Sequence, residues 1–378
     1  QWRVQSHTRK NQYSADCPDT RHVMKKHALV GVLFLALWSC HSNEAPPRRT
    51  YRMGFQNSAP AYDDINVVLQ SLSMWTSRAD AAMITTEVPW DSLIAGIPAG
   101  DYVKRNYLEL VNYYRSKNLP LWVYIDPENG LNRATDAVPL KNSGRSIAEP
   151  AMQLLYRQFV IAMDSVLHPE HIGLALETNL IRTAAPPSIY AGVRQAANDA
   201  AKDLAQRGSA AIRSVSVQID LLWGLHLNPP VFQDLQKELD DFPFASELGM
   251  SSYPYFYFES PASMPADYYS RLKTLTSLPL FVSEGGWSSV NPGSSASCTC
   301  SETQQTEYFL KQATMLDAAA ATAWFQLPFT DIDGTHIAPQ TEPSIQLFLH
   351  LGLVDIHLQP KPVLATWDQI FARKRSIP

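Results

Sequence analysis

Acidic and aromatic side chains recur where short apolar runs of the sequence end. The set comprises three glutamates, Glu87, Glu177 and Glu284, together with Asp126, the amide residue Asn179, and the aromatic residues Trp223, Tyr253, Tyr255, Trp287 and Trp324. Flat aromatic rings stack on the apolar face of a sugar, while carboxylates and amides bond its hydroxyl groups. Hydrolysis of an acetal also needs two carboxyl groups, one protonated and one ionised. The pattern therefore indicates a carbohydrate partner.

Eight apolar runs position these residues: Tyr51–Phe55, Ala81–Thr85, Leu121–Ile125, Ile172–Leu176, Val215–Leu221, Leu248–Ser252, Leu280–Ser283 and Thr322–Leu327. Most are continuously apolar, which is typical of parallel strands buried on both faces. Amphipathic stretches between the runs predict helices over Asp101–Lys117, Pro150–Leu167, Ser188–Gly208, Met264–Leu275 and Glu302–Ala321. Eight strand–helix repeats predict an α/β fold, a single (β/α)8 TIM barrel. In such a barrel the functional residues lie at the carboxyl ends of the strands.

Composition and motifs exclude several other classes of protein. The 378 residues are 45% hydrophobic and carry a net charge of -5, so the chain has enough apolar surface for a core and no overall basic character for nucleic acid. No GxGxxG follows a predicted strand, and no GxxxxGK[ST] occurs. The histidines lack metal-ligand spacing, and residues 331–334 (DIDG) indicate a turn. We predict no cofactor and no metal, and we expect a monomer.

The first fifty residues have the features of a leader sequence and a linker, so we do not assign them to the folded domain. Two lysines precede the apolar run Ala28–Trp38, which ends at Ser39 and Cys40 in a pattern that resembles the lipidation signal of bacterial lipoproteins. The alternative is a buried apolar segment with a chance cysteine. The predicted divisions are upstream read-through at 1–23, a lipoprotein signal peptide at 24–39, a tether at 40–50 and the barrel domain at 51–378. We therefore expect an exported bacterial lipoprotein, anchored to a membrane through lipid on Cys40.

Two further cysteines, Cys298 and Cys300, are separated by one residue in a Ser-rich loop. A bridge between them would close a very small ring. We interpret them as a surface pair, with the oxidised and reduced forms both left open.

Two segments resemble a known group of enzymes. Ser283–Trp287 (SEGGW), after an apolar strand, resembles the nucleophile motif of clan A glycoside hydrolases. That resemblance implies a retaining (β/α)8 enzyme with Glu284 as nucleophile, Glu177 as acid/base and Trp324 as a sugar-stacking residue. Ser251–Tyr255 (SSYPY) is similar to the strand-6 segment of the arabinogalactan endo-β-1,4-galactanases, glycoside hydrolase family 53, which implies β-1,4-galactan as substrate.

One position departs from the clan pattern. Clan members place an asparagine directly before the acid/base glutamate, where it bonds the sugar 2-hydroxyl, whereas Leu176 precedes Glu177 in this chain. Either Asn179 substitutes for it from a different angle, or activity is altered or lost. Two hypotheses stay open: a retaining glycoside hydrolase acting on a β-linked polysaccharide, and a non-catalytic glycan-binding surface lipoprotein on a degenerate barrel.

Overall fold

A computed structural model describes residues 48–293, 295–338 and 341–376. The predicted read-through at 1–23, the signal peptide at 24–39, the lipidated Cys40 and most of the tether lie outside the described residues. Among the helices of the described ranges, none combines the length and the apolar character needed to cross a membrane.

Eight parallel strands form a closed barrel, in which each strand pairs with its neighbours in sequence and the first pairs with the last. The strands are β1 Arg52–Gln56, β2 Ala81–Glu87, β3 Leu121–Asp126, β4 His171–Gly173, β5 Ile212–Gln218, β6 Glu247–Ser252, β7 Leu280–Gly285 and β8 Ala323–Gln326. The predicted (β/α)8 barrel is confirmed, and each predicted apolar run overlaps one strand. Strand β4 ends earlier than expected, although Leu174 still donates to the carbonyl of Ser214 on β5.

Helices surround the barrel: α1 Ile65–Thr76, α2 Trp90–Ile94, α3 Ala99–Ser116, α4 Val138–Asn142, α5 Pro150–Leu167, α6 Thr178–Ala184, α7 Pro187–Gln206, α8 Ile219–Leu222, α9 Gln236–Asp241, α10 Glu302–Ala318 and α11 Pro362–Phe371. Four of the five predicted helices correspond to α3, α5, α7 and α10. The helix predicted over Met264–Leu275 is wrong, because only a 3-10 turn, Ser270–Thr274, lies there. The Lys311 ammonium on α10 binds the carbonyls of Pro261, Ala262 and Met264, and the last of these is a carbonyl that the predicted helix would have used itself.

Two apolar cores lie on opposite faces of the strands, as the two-residue period of a strand requires. The inner core consists of Ala81, Met83, Trp122, Tyr124, Leu176, Phe281, Ala323 and Phe325. The outer and larger core fills the space between strands and helices. Tyr124 crosses the barrel to donate to the Ser214 hydroxyl at 2.9 Å, and Gly173 leaves room for it, because a Cβ there would lie 2.4 Å from the ring. Side chains therefore fill the middle of the barrel.

Cys298 and Cys300 are joined by a disulfide. Both side chains are buried, at 2% and 6% exposure, against the outer core. The interpretation of a surface pair is therefore wrong, because the Ser-rich loop folds its cysteines inward.

Candidate active site

A cavity of about 950 Å³ is lined by residues from the carboxyl ends of the strands. Its lining includes five of the ten predicted site residues: Glu87, Asp126, Glu177, Tyr253 and Glu284. They come from the ends of five different strands, which the closed barrel brings together. This end of a (β/α)8 barrel is where enzymes of this architecture carry their active sites.

A β-bulge turns Glu284 into the cavity. Met250 on β6 pairs with Val282, but the next residue, Ser251, pairs with Glu284, so that Ser283 is an extra residue in β7. Val282 packs in the outer core. Without the bulge, Glu284 would share the outward orientation of Val282; with it, Glu284 lies beside the inward Ser251. The following Gly285, at φ 146°, is needed because a Cβ there would lie 2.2 Å from the Ser252 carbonyl oxygen.

Glu177 lies at the point where the chain leaves the fourth strand and enters α6. Its backbone is left-handed, with φ 46° and ψ 46°, and its amide donates to the Ser216 hydroxyl at 2.9 Å. Such a conformation costs a non-glycine residue on the order of 1 kcal/mol and is frequent at functional sites. The turn aims a side chain that is only 6% exposed into the cavity.

Arg133 joins the carboxyl groups of the cavity, and sequence reasoning missed it. Its Nη1 donates to both oxygens of Asp126, at 2.8 and 2.7 Å, and its Nε donates to Oε2 of Glu177 at 2.9 Å. Although burial alone lowers the pKa of Arg133, the charges of Asp126 and Glu177 raise it above its usual range. The only sequence signal for Arg133 is indirect: several buried carboxylates at one barrel end require a cation.

Like charges dominate the cavity. Burial, followed by the charge of Glu177, raises the pKa of Glu284 to about 8, and Arg133 opposes that rise only in part. The pKa of Glu87 is also raised, by burial and by the neighbouring Asp126. The Tyr253 hydroxyl has a raised pKa because of burial and the charges of Glu284 and Glu177. Burial and the neighbouring negative charge therefore oppose ionisation of Glu284.

The two tryptophans of the predicted sugar platform lie outside the cavity. Trp324 is fully buried, because Phe325 takes the inward position on β8 and turns its neighbour outward. Its ring packs 5.0 Å from that of Trp367, between barrel and helices. Trp287 is also fully buried, with its ring 5.4 Å from that of Tyr308. The prediction of sugar stacking is therefore wrong for this cavity, and both residues pack the outer core.

Asn179, Trp223 and Tyr255 do not line the cavity either. The Asn179 side chain exchanges two hydrogen bonds with the backbone of Gln218, at 2.9 and 2.8 Å, and so ties the start of α6 to the end of β5. Trp223 stacks on Tyr268 and donates to its carbonyl. The Tyr255 hydroxyl donates to a loop carbonyl at 2.9 Å. These bonds position the loops, and because Asn179 lies outside the cavity lining, it does not replace the missing asparagine there.

Other residues supply the apolar surface of the cavity. Leu176 belongs both to the inner core and to the cavity lining, so it forms apolar floor beside Glu177. Two tyrosines that the sequence reading did not single out also line the cavity: Tyr62, which is 65% exposed, and Tyr257, which is 37% exposed. Across the described ranges, no cluster of three or more His, Cys, Asp or Glu side chains has an arrangement that would hold a metal ion.

Several solved structures that are similar to this chain in fold are glycoside hydrolases. An exo-β-1,4-mannosidase from Opitutaceae bacterium strain TAV5 superposes with a TM-score of 0.62 at 15% identity, over 87% of this chain and 61% of the mannosidase. A protein of glycoside hydrolase family 5, subfamily 18, from Streptomyces cattleya, in complex with GlcNAc, gives 0.57 at 15% identity, over 88% and 83%. A Bacteroides uniformis β-glucuronidase covalently bound to an aziridine gives 0.55 at 14%, over 87% and 36%.

The chain thus spans less than two thirds of the length of the mannosidase. No protein-family profile matches the chain, and no curated protein matches it in sequence. Likeness at these identities establishes the barrel fold, and the chemistry has to be argued from the cavity.

Proposed function

We propose that this protein is a retaining glycoside hydrolase of the clan A type that acts on a β-linked carbohydrate. The observation that carries the proposal is the position of Ser251 beside both glutamates. Its hydroxyl donates to Glu177 at 2.5 Å, its backbone pairs with Glu284 across β6 and β7, and both glutamate side chains line one cavity. A retaining reaction uses two carboxyl groups close together, one as nucleophile and one as acid, whereas inversion needs wider spacing to admit water.

The roles follow the resemblance. Glu284, after β7, is the nucleophile that attacks the anomeric carbon, and Glu177 is the acid that protonates the departing oxygen. Water then enters, and Glu177 removes its proton as the glycosyl ester on Glu284 is hydrolysed. Two displacements at one carbon give net retention. Glu87 and Asp126 line the wall of the cavity, where carboxylate oxygens accept hydrogen bonds from sugar hydroxyls.

The sugar is the finer part of the proposal. The Ser251–Tyr255 segment makes β-1,4-galactan the first polymer to test. The structural neighbours include an exo-β-1,4-mannosidase and β-glucuronidases, so β-mannan and aryl β-glucuronides are the next substrates to test. We propose no cofactor and no metal for the reaction.

A second candidate function is glycan binding without catalysis. The observation in its favour is Leu176, which presents an apolar side chain to the cavity at the position of the expected asparagine. An interaction that strengthens in the transition state is then missing, while the surfaces that hold a sugar remain.

One experiment separates the two functions. The purified protein and its Glu284→Gln variant are incubated with galactan, mannan, xylan, β-glucan and a set of aryl β-glycosides, and both release of reducing ends and binding are measured. The hydrolase proposal expects cleavage by the parent protein, with binding but no cleavage by the variant. Equal binding by both proteins with no cleavage of any glycan would establish the binding function instead.

We also propose that lipid on Cys40 anchors the exported protein to a membrane. Cys40→Ala is expected to move the protein from the membrane fraction to the supernatant after cell fractionation. Retention of that variant in the membrane fraction would refute the anchor.

A further inference from the structure

A segment of the loop after β8 is tied to the loop after β3. We call residues 342–348 the strap, and most of them form a 3-10 turn. The Glu342 carboxylate accepts a hydrogen bond from the Asn129 amide at 3.1 Å. The Ser344 hydroxyl donates to the Leu131 carbonyl at 2.9 Å. One end of the strap is therefore held beside the loop that follows β3.

The other end of the strap is tied to the loop after β6. The Leu347 carbonyl accepts from the Tyr255 hydroxyl at 2.9 Å. The Phe348 ring lies 5.1 Å from the Tyr253 ring and 5.9 Å from the Phe256 ring. In the closed barrel, β3 and β6 are separated by other strands in both directions. The strap therefore crosses the carboxyl end of the barrel from one side to another.

The cavity lies between the strap and the strand ends. Ile345, Leu347 and Phe348 line it from the strap, whereas Glu177 and Glu284 line it from the strand ends. Its volume of about 950 Å³ lies in the range of roughly 300–1,000 Å³ found for pockets that enclose most of a small ligand. The two glutamates are therefore reached beneath a segment that is held at both ends.

The same loop also closes the wall of the cavity toward β1. The Asp333 amide donates to the Pro60 carbonyl at 2.9 Å. Nε2 of His336 lies 3.4 Å from Oδ2 of Asp63. All of these residues line the cavity. The strap and this wall therefore interrupt the open groove that a polymer would need in order to lie across the glutamates.

We infer that the protein takes sugars from the end of a carbohydrate chain and does not cleave internal bonds. An internal stretch of a polymer continues in both directions, so it can reach the glutamates only by entering an open groove sideways, and the strap blocks that movement. A chain end can pass beneath the strap. The inference deepens the proposed function and rests on it.

The end that enters is the non-reducing one. In the proposed reaction the departing sugar leaves before water enters, while the terminal sugar stays bound to Glu284 as an ester. The terminal sugar therefore occupies the enclosed part of the cavity, where Glu87 and Asp126 accept hydrogen bonds from its hydroxyl groups. The rest of the chain extends toward the rim, where Tyr62 is exposed.

The first test offers the same chain with one end or the other made inaccessible. Long oligosaccharides of the sugar that the substrate screen identifies, by cleavage or by binding, are coupled to a soluble carrier protein through either the reducing or the non-reducing end. The parent protein is expected to release single sugars from the reducing-end conjugate, with kcat/KM about a hundred-fold lower on the non-reducing-end conjugate. Similar rates on both conjugates, or early release of internal fragments, would overturn the inference and leave the hydrolase proposal intact.

Binding separates failure of the inference from failure of hydrolysis. The affinity of Glu284→Gln for the two conjugates is measured by calorimetry, so that no turnover is needed. The reducing-end conjugate is expected to bind about ten-fold more tightly than the other. Equal affinities would overturn the inference even for a protein that only binds glycans. Absence of binding to both conjugates would remove the proposed function and, with it, the inference.

The strap itself is tested by releasing one of its ends. Glu342→Ala combined with Ser344→Ala removes both ties to the loop after β3, and should raise kcat/KM on the non-reducing-end conjugate, relative to the reducing-end conjugate, about ten-fold. Gln346→Ala changes an exposed strap residue outside the cavity lining, so it is the matched control and should leave that ratio unchanged. An unchanged ratio in a folded double variant would refute the role of the strap.

Discussion

The two ends of the barrel pair their carboxyl groups differently. At the amino ends of the strands, three carboxylates each have a basic partner of their own, in the pairs Arg49–Asp80, Arg115–Glu170 and His171–Glu247. At the carboxyl ends, the buried carboxylates of Asp126 and Glu177 share Arg133, whose charge also acts on Glu284. Although burial raises the pKa of Glu170, its own hydrogen-bond partners lower it overall, whereas burial and the charge of Glu177 raise the pKa of Glu284. Crowding of carboxyl groups therefore distinguishes the proposed catalytic end from the opposite end.

Removal of a carboxyl group from the shared end is expected to have the largest effect. Glu177→Ala should lower the rate about 10²- to 10⁴-fold on glycosides with poor leaving groups, which need the proton, and much less on activated aryl glycosides. Azide should partly restore the rate and give a β-glycosyl azide from a β-substrate. Glu247→Gln, which removes a buried carboxylate from the opposite end, is the matched control and should keep the parent rate. A similar loss in both variants would contradict the division between the ends.

The contributions of the two ends to the unfolding free energy should change with pH in opposite directions. The pKa of Glu284 in the fold lies near 8, above its ordinary 4.5, so its contribution is complete below about pH 4.5 and is lost as pH rises through 8. Although burial raises the pKa of Glu170, hydrogen bonds from Arg115 and the Leu121 amide lower it overall. The contribution of Glu170 is therefore present above its ordinary pKa and is lost as pH falls through the lowered value.

Urea unfolding between pH 3 and pH 9 measures both contributions. Glu284→Gln is expected to remove the decline in unfolding free energy above about pH 5 and to make the protein more stable than its parent at pH 8. Glu170→Gln should change the unfolding free energy at acidic pH only. A decline above pH 5 that persists in Glu284→Gln would mean that another group carries it.

A smaller effect is expected from a single pair at the amino end. Asp80→Asn should lower the unfolding free energy by about 1–3 kcal/mol, because it leaves the buried Arg49 guanidinium without its carboxylate. The same substitution should leave kcat within a factor of about two, since Asp80 is remote from the cavity. A large loss of kcat in a fully folded Asp80→Asn variant would show that the two ends are coupled.

The smallest effect is expected at the rim of the cavity. Tyr62 lines the cavity with 65% of its surface exposed, so its ring is available to a sugar beyond the catalytic pair. Tyr62→Ala should reduce kcat/KM several-fold on long oligosaccharides and less on short ones, whereas Tyr62→Phe keeps the ring and should behave as the parent. An equal loss of kcat/KM on oligosaccharides of all lengths would place Tyr62 next to the catalytic pair instead of at the rim.

The fold could be predicted because each strand is a local apolar run that barrel closure joins to its neighbours. Glu284 and Glu177 could be predicted as site residues for the same reason, since each directly follows such a run. The alternation of side chains along β8 explains the error at Trp324: Phe325 faces inward, and a residue next to it cannot. Applying the two-residue period to β8 would have excluded Trp324 from the cavity.

Other parts of the site had no local signal. Arg133 lies in a loop without periodicity, and its contacts with Asp126 and Glu177 exist only after the barrel closes. The bulge at Ser283 arises from a register shift between two strands, which one strand's sequence does not encode. The rim position of Tyr62 depends on how the loop after β1 folds over the cavity.

The most direct test of the central claim is covalent trapping of the nucleophile. The protein is incubated with activated 2-deoxy-2-fluoro β-glycosides of the sugar that the substrate screen identifies, and peptides are analysed by mass spectrometry. We expect one glycosyl ester on Glu284, formed with loss of activity and absent in Glu284→Gln. An ester on another carboxylate, or turnover of the natural substrate with inverted configuration and no ester, would contradict it.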